Sequence, residues 1–107
     1  MDNPLPTFSQ KVWLLATNIP PGRVVTYGIL ASSAGGGSYA ARSITGILSK
    51  APNQAAIPYH RIVYADGRPW LTAANRTARV KLLKKEGIRL DERDRIINFA
   101  DKLYYFD

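Results

Sequence analysis

The sequence has no cysteine. That excludes disulfides, zinc–thiolate and iron–sulfur sites, and any thiol nucleophile. It has one histidine, His60, so a metal site built from several imidazoles is excluded, although carboxylate sites stay open. No apolar run approaches the roughly 20 residues that a membrane helix needs, so no membrane partner is expected. The start, Met1-Asp2-Asn3-Pro4, lacks the basic segment and apolar run of a secretory signal. A cytoplasmic location is therefore expected, with nucleoid association in a bacterium. Repeats, low-complexity tracts and linkers are missing too. So is negative charge over a long stretch: from Asn3 to Ala65 there is no Asp or Glu.

That last absence is the first positive clue. The 107 residues carry 15 basic and 8 acidic side chains, a net +7. Lys11, Arg23, Arg42, Lys50 and Arg61 all lie in the acid-free stretch, while seven of the eight acids fall between Asp66 and Asp107. A folded surface built from such a stretch suits a polyanion, most simply nucleic acid. The apolar fraction of 46% against 21% charged argues for a folded globular chain rather than a disordered one. A single domain over 1–107 and a monomer are expected.

Local signals predict a mainly helical chain with a small β element. Thr7 and Gln10 have the spacing of a capping box, and Phe8, Val12, Leu15 and Ala16 follow at helical intervals until Pro20-Pro21-Gly22 stops the helix near Asn18. Thr26 is a second candidate cap, for a short helix from Tyr27 to about Ser33. Three glycines, Gly35 to Gly37, precede a third helix from about Tyr39 to Ser49. Short helix, glycine turn and second helix outline a helix-turn-helix. Pro52 to Pro58 reads as a loop. Ile62-Val63-Tyr64 is β-prone, and Asp66-Gly67 is a hairpin-type turn. Thr77 is expected to cap a fourth helix through Val80, Leu82 and Leu83, ended by Gly87. The tail from Ile96 to Phe106 is apolar and aromatic enough to dock on the rest.

In the third helix, Ala40, Ile44, Ile47 and Leu48 form one apolar stripe. Ser38, Arg42, Thr45 and Ser49 form the opposite stripe, small except for one Arg. Small side chains allow close approach to another surface, and a lone Arg projects beyond them. On DNA, that Arg can enter a groove or replace a base in the stack. The other focus is Pro58-Tyr59-His60-Arg61. A lone histidine is more often a satisfied interior residue than a catalyst. A phenol titrates near pH 10, which makes it a poor nucleophile unless strongly perturbed.

These residues carry a resemblance. Pro58-Tyr59-His60-Arg61-Ile62-Val63 resembles the Pro-Cys-His-Arg-Val signature of the O6-alkylguanine-DNA alkyltransferases. Ile19-Pro-x-Gly22, Thr26-Tyr27-Gly28, Ala40-Ala41-Arg42 and Leu82-Leu83-x-x-Glu86-Gly87 fall in the matching order, so the likeness spans roughly residues 8 to 90. In those enzymes the signature Cys accepts the alkyl group; here the position is Tyr59. That is similar to the alkyltransferase-like proteins, which bind O6-alkylguanine in DNA without repairing it and pass it to nucleotide excision repair.

The resemblance implies a single winged-helix-like domain containing a helix-turn-helix, as in the C-terminal domain of the alkyltransferases. It implies DNA contact through Tyr27, Ala41, Arg42 and Thr45, with the helix in the minor groove. Arg42 would fill the gap left by the flipped nucleotide, and Tyr27 would press on the 3′ phosphate. A lesion pocket of Tyr59, His60 and Glu86 is implied, with no catalytic residue, no metal and no cofactor. The implied partners are double-stranded DNA containing O6-alkylguanine and nucleotide excision repair proteins.

Four positions depart from the family pattern. Position 59 is usually Trp in the alkyltransferase-like proteins. Gly35-Gly36-Gly37-Ser38 stands where Gly-x-Pro is usual, which loosens the approach to the helix. Ala51 aligns with an Asn that braces the enzymes' active-site loop, and Arg68 to Thr72 do not identify the pocket lid. Dealkylation needs a soft, ionised nucleophile, which a neutral phenol is not, whereas a phenol suits stacking and hydrogen bonding to a base. Two other readings compete: a sequence-specific helix-turn-helix transcription regulator, and an enzyme using Tyr59 as acceptor or acting as a hydrolase. The outward stripe lacks the Asn, Gln and extra Arg that read base edges, and the missing cysteine weighs against the enzyme.

Overall fold

The computed structural model describes residues 5–37 and 40–106. Helix α1 (Phe8–Thr17) opens on the expected capping box: the Thr7 hydroxyl accepts from the Gln10 amide at 3.1 Å, and Gln10 Oε1 accepts from the Thr7 amide at 2.9 Å. Strand β1 (Val25–Thr26) runs directly into helix α2 (Tyr27–Ser33), whose first-turn amide at Ile29 donates to the Thr26 hydroxyl. The third helix corrects the sequence reading. Ser38 and Tyr39 lie outside the described residues, and Ala40–Ser43 is a tight 3₁₀ turn before helix α3 (Ile44–Ser49) begins. Ser43 makes no side-chain cap bond to α3, and the turn before it winds with i→i+3 bonds, as helix starts often do.

A glycine joins the two helices of the helix-turn-helix for a steric reason. At Gly36 a Cβ would come within 2.6 Å of the Ala40 Cβ and 2.9 Å of Phe8 Cε1, so only a bare backbone lets α1, α2 and the Ala40 turn converge. The Gly36 amide also donates back to the Ala31 carbonyl, closing the end of α2.

Strand β2 (Ile62–Val63) pairs parallel with β1, Val25 opposite Ile62 and Thr26 opposite Val63. The Asp66-Gly67 turn folds back to a bridge between Val63 and Pro69, and on the other edge Leu103 bridges Val24. Helix α4 spans Arg76–Lys85. Thr77 sits inside it rather than capping it. The start is built instead by Thr72 and Asn75, whose side chains each accept from the other's amide. Gly87 ends α4 with positive φ, and the Ile88 amide returns to the Leu83 carbonyl. That turn fixes Glu86 as the C-cap of α4. The tail docks as expected, through a short helix α5 (Phe99–Lys102) and the Tyr104 amide bonded to the Val24 carbonyl.

Two apolar clusters carry the packing. Val12, Ala16, Leu30, Ile44, Leu48 and Ile62 join the three N-terminal helices to β2. Val24, Val63, Leu83, Ile88 and Ile96 seat α4 and the tail on the other side of the strand pair. Ile44 and Leu48 are fully buried while Arg42, Thr45 and Ser49 are exposed, so the two stripes of the third helix face as the periodicity predicts. Trp13 ties α1 to α3 by donating its indole N–H to the Ile47 carbonyl at 2.7 Å.

Candidate nucleic-acid interface

The helix-turn-helix presents a groove of about 520 Å³ lined by Tyr27, Gly28, Ala41, Arg42, Thr45, Tyr64 and Ala65. All four sequence-predicted contact residues, Tyr27, Ala41, Arg42 and Thr45, stand in it together. Most of its walls are small or apolar, and the exposed Arg42 stands on one side. Among the described residues the Arg42 side chain makes no hydrogen bond or ion pair. Tyr27 is half-buried, with its ring 5.3 Å from that of Tyr64. Burial, reinforced by Tyr64 and Tyr59 and opposed by Arg79, pushes the Tyr27 hydroxyl up to about 12. It is therefore a neutral donor at any physiological pH, able to meet an anion without repelling it.

A second feature is a largely buried ionic cluster. The 3₁₀ turn Tyr59–Arg61 and the C-terminus of α4 bring His60 and Glu86 together, with Nε2 to Oε2 at 2.8 Å. Arg61 clamps the same carboxylate with two bonds, Nε to Oε1 at 3.0 Å and Nη2 to Oε2 at 2.7 Å. The Gly22 amide donates to Oε1 at 3.1 Å, and Arg61 also donates to the Ile19 carbonyl at 3.0 Å. Burial disfavours the Glu86 anion, but the bonds from Arg61, His60 and Gly22 together outweigh it and hold the carboxyl at about 2. Sequence reasoning paired His60 with Glu86 and gave Arg61 no role. It also counted Arg61 as surface charge, which is a correction: its side chain is 17% exposed and neutralised by Glu86. Lys11, Arg23, Arg42 and Lys50 supply the exposed charge of the acid-free stretch.

Tyr59 is half-buried and packs on the N-terminal cluster. Its hydroxyl donates to Gln54 Oε1 at 2.6 Å, with the Leu48 carbonyl 3.2 Å from the same oxygen. The Gln54 amide in turn donates to the carbonyls of Leu48 and Ala51 at 2.8 and 2.9 Å. Ala51 has no polar side chain to brace the Pro58-Tyr59-His60 turn; Gln54 ties it to the end of α3 instead. The phenol is thus engaged with Gln54 rather than with the His60–Glu86 pair. Over the Tyr59 ring stands Arg79 of α4, its guanidinium carbon 5.4 Å from the ring centroid. Gln54, Tyr64 and Arg79 were missed in the sequence. Only Tyr64 carried a signal, an aromatic immediately after the signature.

The fold and this arrangement define a DNA-binding domain of the alkylguanine-repair class. The chain belongs to the family described as 6-O-methylguanine DNA methyltransferase, DNA binding domain, which matches residues 7–88. It is 37% identical over 82 residues to the DNA base-flipping protein of Escherichia coli (strain K12), covering 77% of this chain and 63% of that protein. It is 32% identical over 84 residues to the methylated-DNA–protein-cysteine methyltransferase of Methanothermobacter thermautotrophicus, covering 78% of this chain and 46% of that one. The chain thus spans under two thirds of the length of either relative. The crystal structure of S. pombe Atl1 in complex with damaged DNA containing O6-carboxymethylguanine has the same fold. Its TM-score is 0.75 at 22% identity, with 97% of this chain and 100% of that chain covered. The crystal structure of a single-residue variant of Mycobacterium tuberculosis OGT matches with a TM-score of 0.64 at 27% identity, over 85% of this chain and 55% of that chain.

Proposed function

We propose that this protein recognises O6-alkylguanine in double-stranded DNA, flips the nucleotide and leaves the alkyl group in place. The observation that carries this reading is the pairing of a groove built for a DNA strand with a phenol where the family's enzymes hold a thiolate. A hydroxyl that donates to Gln54 and lacks a base beside it is not an in-line nucleophile. The helix-turn-helix lies against the minor groove. Arg42 fills the gap in the stack, and the neutral Tyr27 hydroxyl meets the phosphate beside the target. Tyr59 forms part of the pocket wall, held by the turn that the His60–Glu86–Arg61 cluster anchors.

O6 alkylation removes the guanine N1 proton and weakens the pair with cytosine, so extrusion of the damaged base is easier than extrusion of guanine. The bound lesion is then a flag for nucleotide excision repair, and the protein acts as a cytoplasmic monomer. The names of the E. coli base-flipping protein and of Atl1, bound to O6-carboxymethylguanine DNA, support the reading. The test compares a duplex carrying one O6-methylguanine with the same undamaged duplex and follows the methyl group by mass spectrometry. Preferential binding with the methyl retained on DNA is expected. A protein adduct at Tyr59, or DNA restored to guanine, overturns the non-catalytic reading.

A further inference from the structure

The Tyr59 ring has a second neighbour that the groove does not explain. Arg79 stands 5.4 Å from the Tyr59 centroid and 5.8 Å from the Trp70 centroid, over both ring faces. One of its terminal nitrogens donates to the Trp70 carbonyl at 2.7 Å. Among the described residues no carboxylate pairs with it. Its hydrogen bond and both ring contacts therefore tie α4 to the Arg68–Thr72 loop and to Tyr59. Trp70 is 42% exposed although it is among the largest apolar side chains of the molecule. Tyr64 lines both the groove and the neighbouring hollow that Trp70 lines, so this stack adjoins the groove.

Two aromatic faces with a flat cation over each is the arrangement that a planar base would replace. A guanidinium plane stacks on aromatic rings much as a base does. We propose that Trp70 is the lid of the lesion pocket and that Arg79 is its latch, a placeholder that covers Tyr59 in the free protein and withdraws when the flipped base stacks between Tyr59 and Trp70. The latch keeps the loop closed over the Tyr59 ring until a base arrives. Opening it costs the same for every base, damaged or not, so it lowers affinity without changing discrimination. This rests on the damage-binding reading and assigns the lid that the sequence left open.

The experiment has one arm without DNA and one with it. The chain has two tryptophans, so the emission of Trp70 is isolated by subtracting that of W70F. In the free protein, Arg79→Ala and Arg79→Lys should both make Trp70 more accessible to acrylamide, because an ammonium cannot span two rings and a carbonyl. Unchanged quenching in both variants overturns the latch. On O6-methylguanine duplex, W70A should lose about ten- to hundredfold in affinity, the range of one base–aromatic stack. R79A should bind that duplex and the undamaged one more tightly by a similar factor, leaving their ratio unchanged. Loss of affinity in R79A comparable to that of W70A makes Arg79 a direct contact and overturns the latch, while wild-type discrimination leaves the damage-binding reading standing. A wild-type protein that does not discriminate the lesion refutes that reading instead, and the quenching arm then decides the latch alone.

Discussion

Replacing Glu86 by Gln tests whether the ionic cluster holds the site together. The carboxylate accepts from Arg61 twice, from the Gly22 amide, and contacts His60, and its side chain is 12% exposed. The folded carboxyl titrates at about 2 against an ordinary 4.5. A gap of about 2.5 pH units corresponds to about 3 kcal/mol of stability. Because the folded value is the lower one, this contribution is fully present above about pH 4.5 and drains away as pH falls towards 2. Gln keeps the shape and two acceptor lone pairs but leaves the part-buried Arg61 without its counter-charge, a loss of about 3–5 kcal/mol. Urea unfolding at pH 7 should therefore show E86Q less stable than wild type by about 3 kcal/mol, and the gap should narrow by more than half at pH 3. A gap below about 1 kcal/mol, or one equal at both pH values, would mean that shape rather than charge secures Glu86.

Arg42→Ala should weaken binding to lesion-containing duplex by more than about tenfold, and clearly less on a single strand carrying the same lesion, where no hole in a stack needs filling; equal losses on both would reduce Arg42 to a phosphate contact. Arg42→Lys should rescue only in part, since an ammonium does not stack as a guanidinium does. Affinity measured across a salt series should fall steeply, since Lys11, Arg23, Arg42 and Lys50 are exposed and the facing stretch has no acid; a flat series would move the DNA surface elsewhere. Tyr59→Cys should transfer little or no alkyl group, because a thiol cannot reach Gln54 to be held as the phenol is, and rapid stoichiometric transfer would show a site still organised for catalysis.

What could be read from the sequence was what is encoded locally. Thr7 with Gln10, Thr26, and Gly87 act within one helical turn, so their residue types alone announce the start of α1, the start of α2 and the end of α4. The inward Ile44 and Leu48 and the outward Arg42, Thr45 and Ser49 follow from periodicity, whereas Tyr27 and Ala41 were reached only through the family resemblance. Thr77 misled because Thr72 and Asn75 form a mutual cap three residues apart, a better solution than a threonine already inside the first turn. The parallel pairing of β1 with β2 was invisible, since each strand is two residues long and their partnership is set by packing between distant parts of the chain. The same distance problem hid Arg61, whose partner lies 25 residues on, and Arg79, whose aromatic partners lie on two other segments, the Tyr59–Arg61 turn and the loop of Trp70.

The missing thiol and the hidden partners belong to one physical pattern. An alkyl acceptor must be ionised and free to move in line with carbon, and a group serving that end cannot also be committed to structure. In this chain the residue at that position is committed: Tyr59 donates to Gln54, packs on the core and carries Arg79 on its face. Its neighbour His60 is bonded to Glu86, and Glu86 to Arg61 and the Gly22 amide, so the turn that carries Tyr59 is anchored as well. Tyr59, the group at the acceptor position, is satisfied by neighbours that fix its place. Such a network gains rigidity and gives up reactivity. On the proposed reading, a rigid wall beside the groove is suited to deciding whether a base fits, which is a binding task. On the reading proposed above, the protein stays on the lesion for as long as the contacts of the groove and of Tyr59 hold, and the lifetime of that complex, rather than a chemical step, is the quantity on which its usefulness turns.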